Sequence, residues 1–419
     1  MHTQVKQKNM KDKSVKIGFP TTIVREGQVN FFAPRLEAFV SSSSDYAPSK
    51  APVFFNPIME LNRDIAVLAL QSYQKMVNRP IFVCEPLTGC GIRGIRFAVE
   101  VDGVKESVIN DINEKAFKLS CYNVNMNGLG EQIVVKNEDA NFLLCSHGMP
   151  RKRFDAVDID PFGSPVIFLD SAVRALRNNG FLALTATDMA PLCGVHEKAC
   201  MRKYGGKSLR TEYCHELAIR VLAGTLAKTA AKYELGTRIV FSHSANHYIR
   251  LYAIVRCGAK EADKSINKLG YVLHCFKCFH RETINRQSLS RHSMKCCECG
   301  SKMNIAGPLW LGDIFEKDFC RLMEAEAKQR IFRLGKKIHE TLTIIASEAE
   351  APITYYVLDR LCKAIVLPVP SVKTIVMALR EEDHQASFTH FNSRGIRSDA
   401  SAAKMKEILQ NNDRLSGKF

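Results

Sequence analysis

Several things are missing from this 419-residue sequence, and each absence excludes a class of protein. No run approaches the ~18 to 20 apolar residues that a bilayer-spanning helix needs, so an integral membrane protein is excluded. The basic residues 1–16 carry no apolar stretch, so no secretory signal is expected. Arg is absent from that stretch and Asp12 is present, which argues against a transit peptide. No internal repeat or extended low-complexity tract occurs. Acidic residues are in deficit: 43 Asp+Glu face 59 Lys+Arg, a formal charge of +16. A field of that sign attracts polyanions, of which nucleic acid is the usual one. The 15 Cys, in a large chain without a secretory signal, point to reduced or metal-bound thiols rather than a disulfide scaffold.

At this length two domains are the natural expectation. The pattern predicts an extension over residues 1–50, with a β-like stretch at 24–32 and a flexible serine run at 41–44. A helix-period segment follows at 59–76. Strands are then expected at 81–84, 107–110, 133–135, 154–159 and 181–187. Helices alternate with them at 92–99, 113–125 and 166–176, the last closed by Asn178-Asn179-Gly180 as a C-cap. A long amphipathic helix at 212–233 precedes two strands, 238–242 and 248–257, joined by a Ser-Ala-Asn-His turn. Alternating strands and helices predict a mainly parallel sheet covered on both faces, with the closing hairpin adding an antiparallel edge. The α/β domain is expected to span 51–265. Residues 266–419 are expected to form an α+β unit that opens with a Cys- and His-rich segment.

Gly89-Cys90-Gly91-Ile92-Arg93-Gly94 follows a predicted strand and opens a predicted helix, which is the context a nucleotide-cofactor loop requires. Glycine there lets a ligand approach the backbone without a Cβ in the way. Asp111 ends the next strand, about 20 residues on, where a carboxylate can accept ribose hydroxyls. This much fits NAD, FAD or S-adenosylmethionine. Glu85 favours the last, because an acid at the strand tip meets a cationic cofactor end and repels a pyrophosphate. Asp139 and Ala140 follow the third strand, where a carboxylate can accept an adenine amino group and the next N–H can donate to the ring. Asp139 as a plain helix N-cap is the competing reading.

Asp158-Ile159-Asp160-Pro161-Phe162-Gly163 closes the fourth strand, at the end where open α/β sheets bind ligands. This order suits methylation of an exocyclic amine, whose lone pair is delocalised into its ring. Asp160 and the Pro161 carbonyl can accept the amine N–H groups and aim the lone pair. Phe162 can stack on the base. Phe54 offers a second flat wall for a base that has left its stack. Arg63 could hold a cofactor carboxylate in a fork geometry, or pair with a neighbouring acid.

Cys275-x-x-Cys278 and Cys296-x-x-Cys299 are separated by 17 residues, inside the spacing window for zinc. Four thiolates close a tetrahedral site with no open position, so the metal would be structural. Cys297, His274, His280 and His292 are close enough in sequence to exchange for one of the four.

At these residues the sequence resembles the tRNA (guanine-26 N2)-dimethyltransferases. The likeness is carried by Glu26-Gly27, Phe54-Phe55-Asn56-Pro57, Asn62-Arg63-Asp64, Gly91-Ile92-Arg93-Gly94, Asn110-Asp111-Ile112 and Asp139-Ala140-Asn141. It continues through Asp158 to Pro165, Ala190-Pro191-Leu192-Cys193-Gly194, Gly307 to Gly312 and Thr389-His390-Phe391. The resemblance implies a class I, Rossmann-like methyltransferase domain plus a tRNA-binding C-terminal domain with a zinc segment. It implies transfer of two methyl groups from S-adenosylmethionine to N2 of guanosine 26. Asp160 would be the catalytic carboxylate, with Phe54, Pro161 and Phe162 on the guanine. Arg63, Glu85, Gly89, Gly91, Arg93, Asp111, Asp139 and Ala140 would line the cofactor. A monomer in the nucleus or cytoplasm is expected. Two positions depart from the family pattern: Cys90 stands where Ser or Thr is usual, and Phe388 stands where Arg precedes Thr-His-Phe.

Overall fold

The computed structural model describes residues 17–40, 47–245 and 247–416. The serine run at 41–44, the lysine-rich stretch at 11–16 and Asn246 of the expected turn lie outside the described residues. The β-like stretch near the N-terminus is a hairpin, β1 (Thr21–Glu26) against β2 (Val29–Pro34). It turns at Gly27, whose φ is +54°.

Seven strands form the central sheet: β3 (Ile81–Glu85), β4 (Val104–Asn110), β5 (Ile133–Lys136), β6 (Phe154–Ile159), β7 (Leu176–Ala186), β8 (Leu235–Ala245) and β9 (Tyr248–Cys257). Their order is β5-β4-β3-β6-β7-β9-β8. The first five are mutually parallel. Every residue of β6 is buried, as expected of a strand covered on both faces. The antiparallel strand is not at the edge, as the sequence pattern suggested. β9 lies between β7 and β8 and runs against both, so the edge strand β8 is again parallel to the rest. Its first eight residues, Tyr248 to Val255, are all buried, so apolar β9 takes the inner place.

A second difference concerns residues 166–180. The helix is Leu169–Ala175, and Leu176 already belongs to β7. Asn178-Asn179-Gly180 is therefore a bulge inside a strand rather than a helix cap. From Phe154 to Ala156 the ladder advances two residues on β6 and five on β7, from Leu176 to Phe181. Long-range bonds hold the bulge: Asn178 Oδ1 accepts the Cys257 N–H (2.8 Å), and Tyr73 Oη donates to the Asn179 carbonyl (3.1 Å).

The Glu60–Val77 helix is buried from Glu60 to Tyr73, including Asn62, Arg63, Asp64 and Gln71. A helix covered on all sides lies inside a protein. The Lys317–Lys328 helix covers its outer side. Lys75 bonds Glu326, and Arg330, just beyond that helix, donates to Gln71 Oε1 (2.9 Å).

The C-terminal half adds two small antiparallel sheets, which with their helices give the expected α+β unit. β10 (Leu269–His274), β11 (Arg281–Asn285) and β12 (Asn304–Trp310) pair in the order β11-β10-β12. β12 leans on the Cys214–Ala231 helix at Gly224, where a Cβ would come within 3.2 Å of Leu309 Cα. Arg220 on that helix donates to the carbonyls of Trp310 (3.1 Å) and Gly312 (2.9 Å). The main core accordingly continues from Leu61 to Val357. β13 (Tyr356–Val357), β14 (Ala386–Phe388) and β15 (Gly395–Ser398) pair as β13-β15-β14 and carry a core of their own with three helices. Arg397 on β15 bonds Glu348 (2.6 Å) and Glu216 (2.9 Å), tying that unit to the long helix.

Candidate active site

The loop between β3 and the Ile92–Glu100 helix has the build of a cofactor site. Gly89 has φ +58°, and a Cβ there would meet the Phe54 carbonyl at 2.9 Å. Gly91 (φ +83°) is the helix N-cap in the left-handed region. At Gly94 a Cβ would lie 2.3 Å from Ile109 Cγ2, so only glycine lets this helix pack so close to β4. Asp111, half-buried, accepts the N–H groups of Gly89 (2.8 Å) and Asn113 (2.9 Å) and braces the loop from below.

Glu85 stands at the tip of β3, buried. Its Oε2 accepts the Thr88 hydroxyl (2.6 Å) and the Gly94 N–H (2.9 Å), and Arg93 Nε lies 3.6 Å from Oε1. Burial pushes its carboxyl up to about 8, against the pull of Arg93 and Thr88. Cys90 points the other way, into an apolar cluster with Phe31, Phe55 and Ile92. Burial raises its thiol to about 12, so this departure from the family pattern is a core residue rather than a cofactor donor.

Asp160 follows β6 and keeps 22% of its side chain exposed. Arg93, from the cofactor loop, donates to its Oδ2. Arg250 on β9, wholly buried, pairs with Asp158 and donates to Thr185 Oγ1. Burial by itself would raise the Asp160 carboxyl, but Arg93 and Arg250 outweigh it and hold the group below its ordinary range. Pattern reading did not single out Arg250 and gave Asp158 and Thr185 no role of their own. The available signal was a lone arginine inside the apolar run of β9. Two buried polar atoms here, Arg93 Nη1 and Asp158 Oδ1, make no hydrogen bond among the described residues.

Phe162 is 71% exposed, and its ring meets Phe54 edge to face at 4.5 Å between centroids. The two rings expected to flank a base are here in contact with each other. Gly163 anchors the turn by donating to Thr187 Oγ1 (2.7 Å) and accepting the Thr187 N–H (2.9 Å). Arg63 takes the second of its two expected roles. Its Nε and Nη2 grip Glu26 (2.6 Å each), so the fork envisaged for a cofactor carboxylate is filled by an acid from β1. Asp139, exposed, N-caps the Ala140–Ser146 helix through Phe142 N–H (3.0 Å), while Ala140 is buried beside it. Phe388 closes β14, partly exposed.

The sulfurs of Cys275, Cys278, Cys296 and Cys299 all lie within 4.8 Å of one another. Cys275 and Cys299 are 3.5 Å apart, and Cys278 and Cys296 are 3.4 Å apart. Zinc–sulfur bonds of about 2.3 Å in a tetrahedron require roughly this spacing. The nearby alternatives are engaged elsewhere: His274 with Tyr213 (2.9 Å), His292 with Glu282 (2.9 Å), and His280 with Glu298 (3.1 Å) and Cys297 (3.3 Å). A second group, Cys193, Cys214 and His215, also lies within 4.8 Å, a convergence of distant segments that spacing did not reveal.

Fold and site together define a class I methyltransferase: strand order, glycine loop, and a carboxylate at the end of β6. The model of the N2,N2-dimethylguanosine tRNA methyltransferase family matches residues 33–410. The tRNA (guanine(26)-N(2))-dimethyltransferase of Methanobrevibacter smithii is 42% identical over 366 residues, covering 87% of this chain and 93% of that one. The tRNA (guanine(26)-N(2)/guanine(27)-N(2))-dimethyltransferase of Aquifex aeolicus is 35% identical over 395 residues, covering 93% and 95%. Among solved structures, Trm1 from Pyrococcus horikoshii with S-adenosyl-L-methionine is similar at a TM-score of 0.79 and 33% identity, covering 93% of this chain and 99% of that one. The chain belongs to the N2,N2-dimethylguanosine tRNA methyltransferase family. Among the described residues, no helix is long and apolar enough to cross a membrane.

Proposed function

We propose that this protein transfers two methyl groups in succession from S-adenosylmethionine to N2 of guanosine 26 in tRNA, giving N2,N2-dimethylguanosine. The observation that carries the reading is the Asp160 carboxylate, held by an arginine of the cofactor loop and opening beside the Phe54–Phe162 pair.

The glycine loop suits the cofactor, because a Cβ at Gly89 would fill the space next to Phe54 and Arg93 Nη1 is a buried donor without a hydrogen bond among the described residues. S-adenosylmethionine, when bound, supplies an electrophilic methyl on a sulfonium. Glu85, Arg93, Asp111 and the 139–140 step are its partners in this reading. An ionised Asp160 accepts an N–H of the guanine amine and stabilises the positive charge that grows on that nitrogen. Its low affinity for protons suits orientation, and the released proton passes on to solvent. The Pro161 carbonyl accepts the other N–H, and the Asp-Pro-Phe-Gly turn keeps that carbonyl in place by docking on Thr187. Guanine enters by parting the two phenylalanine rings, which then exclude water from both faces of the base.

Zinc in the four-cysteine group is part of the proposal. It staples the loop after β10 to β12, where the apolar cluster is only a handful of residues. The +16 charge supplies the phosphate attraction that a folded RNA requires. Nucleoside mass spectrometry of unmodified tRNA incubated with protein and S-adenosylmethionine tests the whole reading. Dimethylguanosine at position 26 is expected, and an unmethylated guanosine 26 would refute it.

A further inference from the structure

A cleft of about 230 Å³ begins three residues after Phe54 in the chain, lined by Pro57, Ile58, Leu61, Tyr248, Arg333 and Lys337 together with Leu334. That is below the roughly 300–1,000 Å³ of drug-sized pockets and on the scale of one sugar-phosphate unit. One wall is apolar and unusually open: Ile58 is 67% exposed although it stands four residues from Phe54. Tyr248 forms the floor. It is buried at the start of β9, two residues before Arg250, which bonds Asp158 and Thr185.

The opposite wall is cationic. From Lys328 to His339 the chain has Lys328, Arg330, Arg333, Lys336 and Lys337 and not one acidic residue. Arg330 is spent on Gln71 and the Glu100 carbonyl. Lys336 and Lys337 are exposed and have no ion pair among the described residues. Arg333 is exposed at the rim and is held by Glu60, on the first turn of the buried helix. A concave site with an apolar wall and a cationic wall, close in the chain to Phe54, matches a ribose with its phosphate.

We propose that this cleft seats the sugar-phosphate unit adjoining the extruded guanosine, with Lys337 on the phosphate and Pro57 and Ile58 against the ribose. Arg333 sets the rim and approaches the phosphate from its Glu60 anchor. Lys337 is thus a positioning residue: it fixes the strand on one side of the base while Phe54 and Phe162 take the base itself. The assignment rests on the tRNA reading given above.

The test compares Lys337→Ala and Lys337→Glu with a control of equal charge change, Lys105→Glu. Lys105 is an exposed residue at the start of β4, at the end of the sheet away from the site. Binding of unmodified tRNA and methyl transfer are measured across a salt series, with S-adenosylmethionine affinity and melting temperature followed in parallel. Lys337→Ala is expected to raise the Kd for tRNA by ~3–10-fold and lower the log–log salt slope by about 0.7–0.9, one phosphate's worth. Lys337→Glu is expected to go further, and Lys105→Glu to stay within twofold of wild type. A neutral methylphosphonate at the phosphate adjoining guanosine 26 should weaken binding to wild type and not weaken it further in Lys337→Ala. Equal loss in Lys105→Glu would reduce the effect to a general field and overturn the proposal. So would unchanged binding in both Lys337 variants. Wild-type protein that transferred no methyl to tRNA would bring down the functional reading instead, and the cleft assignment with it.

Discussion

Arg93 and Asp160 are joined by a salt bridge between the helix that follows the glycine loop and the end of β6. The pairing couples two halves of the site that lie 67 residues apart. Any ligand that moves the loop moves the partner of Asp160. Burial pushes the Asp160 carboxyl up, and only the charges of Arg93 and Arg250 together, with hydrogen bonds from Thr185 and Arg93, bring it below its ordinary range.

Asp160→Asn keeps the shape and removes the charge. It is expected to lower methyl transfer by ~10²–10⁴-fold, the range of a well-placed acid–base or charge-stabilising group. Its tRNA affinity should stay within about twofold of wild type. Labelled-methyl assays paired with filter binding check both. Wild-type turnover in this variant would remove Asp160 from the mechanism.

Glu85 predicts a proton-linked cofactor affinity. Its folded carboxyl titrates near 8, against an ordinary 4.5. The folded chain therefore keeps a proton that the unfolded chain has lost, so this group's contribution to stability is full below about 4.5 and declines as pH rises to about 8. A cationic ligand beside it demands the ionised form. S-adenosylmethionine binding is expected to release close to one proton at pH 7 and to tighten as pH rises toward 8. Calorimetry in two buffers of different ionisation enthalpy measures the release. Glu85→Gln should abolish it, and a wild-type release of zero would rule out contact between Glu85 and the cofactor's charge.

Removal of the metal should loosen one segment and spare the sheet. Cys296→Ser, or chelation of the wild-type protein, is expected to drop one zinc per chain and to open residues 275–303 to protease, because their apolar cluster is small. Far-ultraviolet circular dichroism should stay close to wild type. Metal analysis and limited proteolysis check this. Unaltered protease resistance after zinc loss would show that the thiols need no metal to hold the loop.

Gly94→Ala tests the packing of the loop helix on β4. The added methyl would overlap Ile109 Cγ2 and press on Glu85 Oε2 (3.0 Å). Overpacking of this kind costs about 1–3 kcal/mol. A lower urea midpoint with an unchanged slope is expected, together with weaker S-adenosylmethionine binding. A midpoint equal to wild type would mean that the helix shifts freely and that the glycine is not needed for close approach.

Much of the molecule was legible because it is written locally. The glycine loop, the strand-end acids and the two Cys-x-x-Cys pairs each occupy a few consecutive residues whose spacing matches a chemical need. The alternation of apolar strands with helices likewise sets the parallel sheet. Other features were not legible. Arg63 reads equally well as a ligand fork or as a partner for an acid, and the choice fell to Glu26, 37 residues away. Asn178-Asn179-Gly180 has the composition of a helix end, yet Tyr73 and Cys257 hold it as a bulge in β7. Cys90 looks like a cofactor contact and faces the core.

The sequence alone determined the elements, the glycine loop, the acid at the end of β6 and the convergence of four thiols, because each depends on neighbours within a turn or a strand. Tertiary structure alone decided which charges are spent and which are free. Arg250 reaches Asp158 across 92 residues, Arg93 reaches Asp160 across 67, and Arg333 reaches Glu60 across 273. Partners of a long cationic side chain are set by which elements pack together, and no local pattern encodes that.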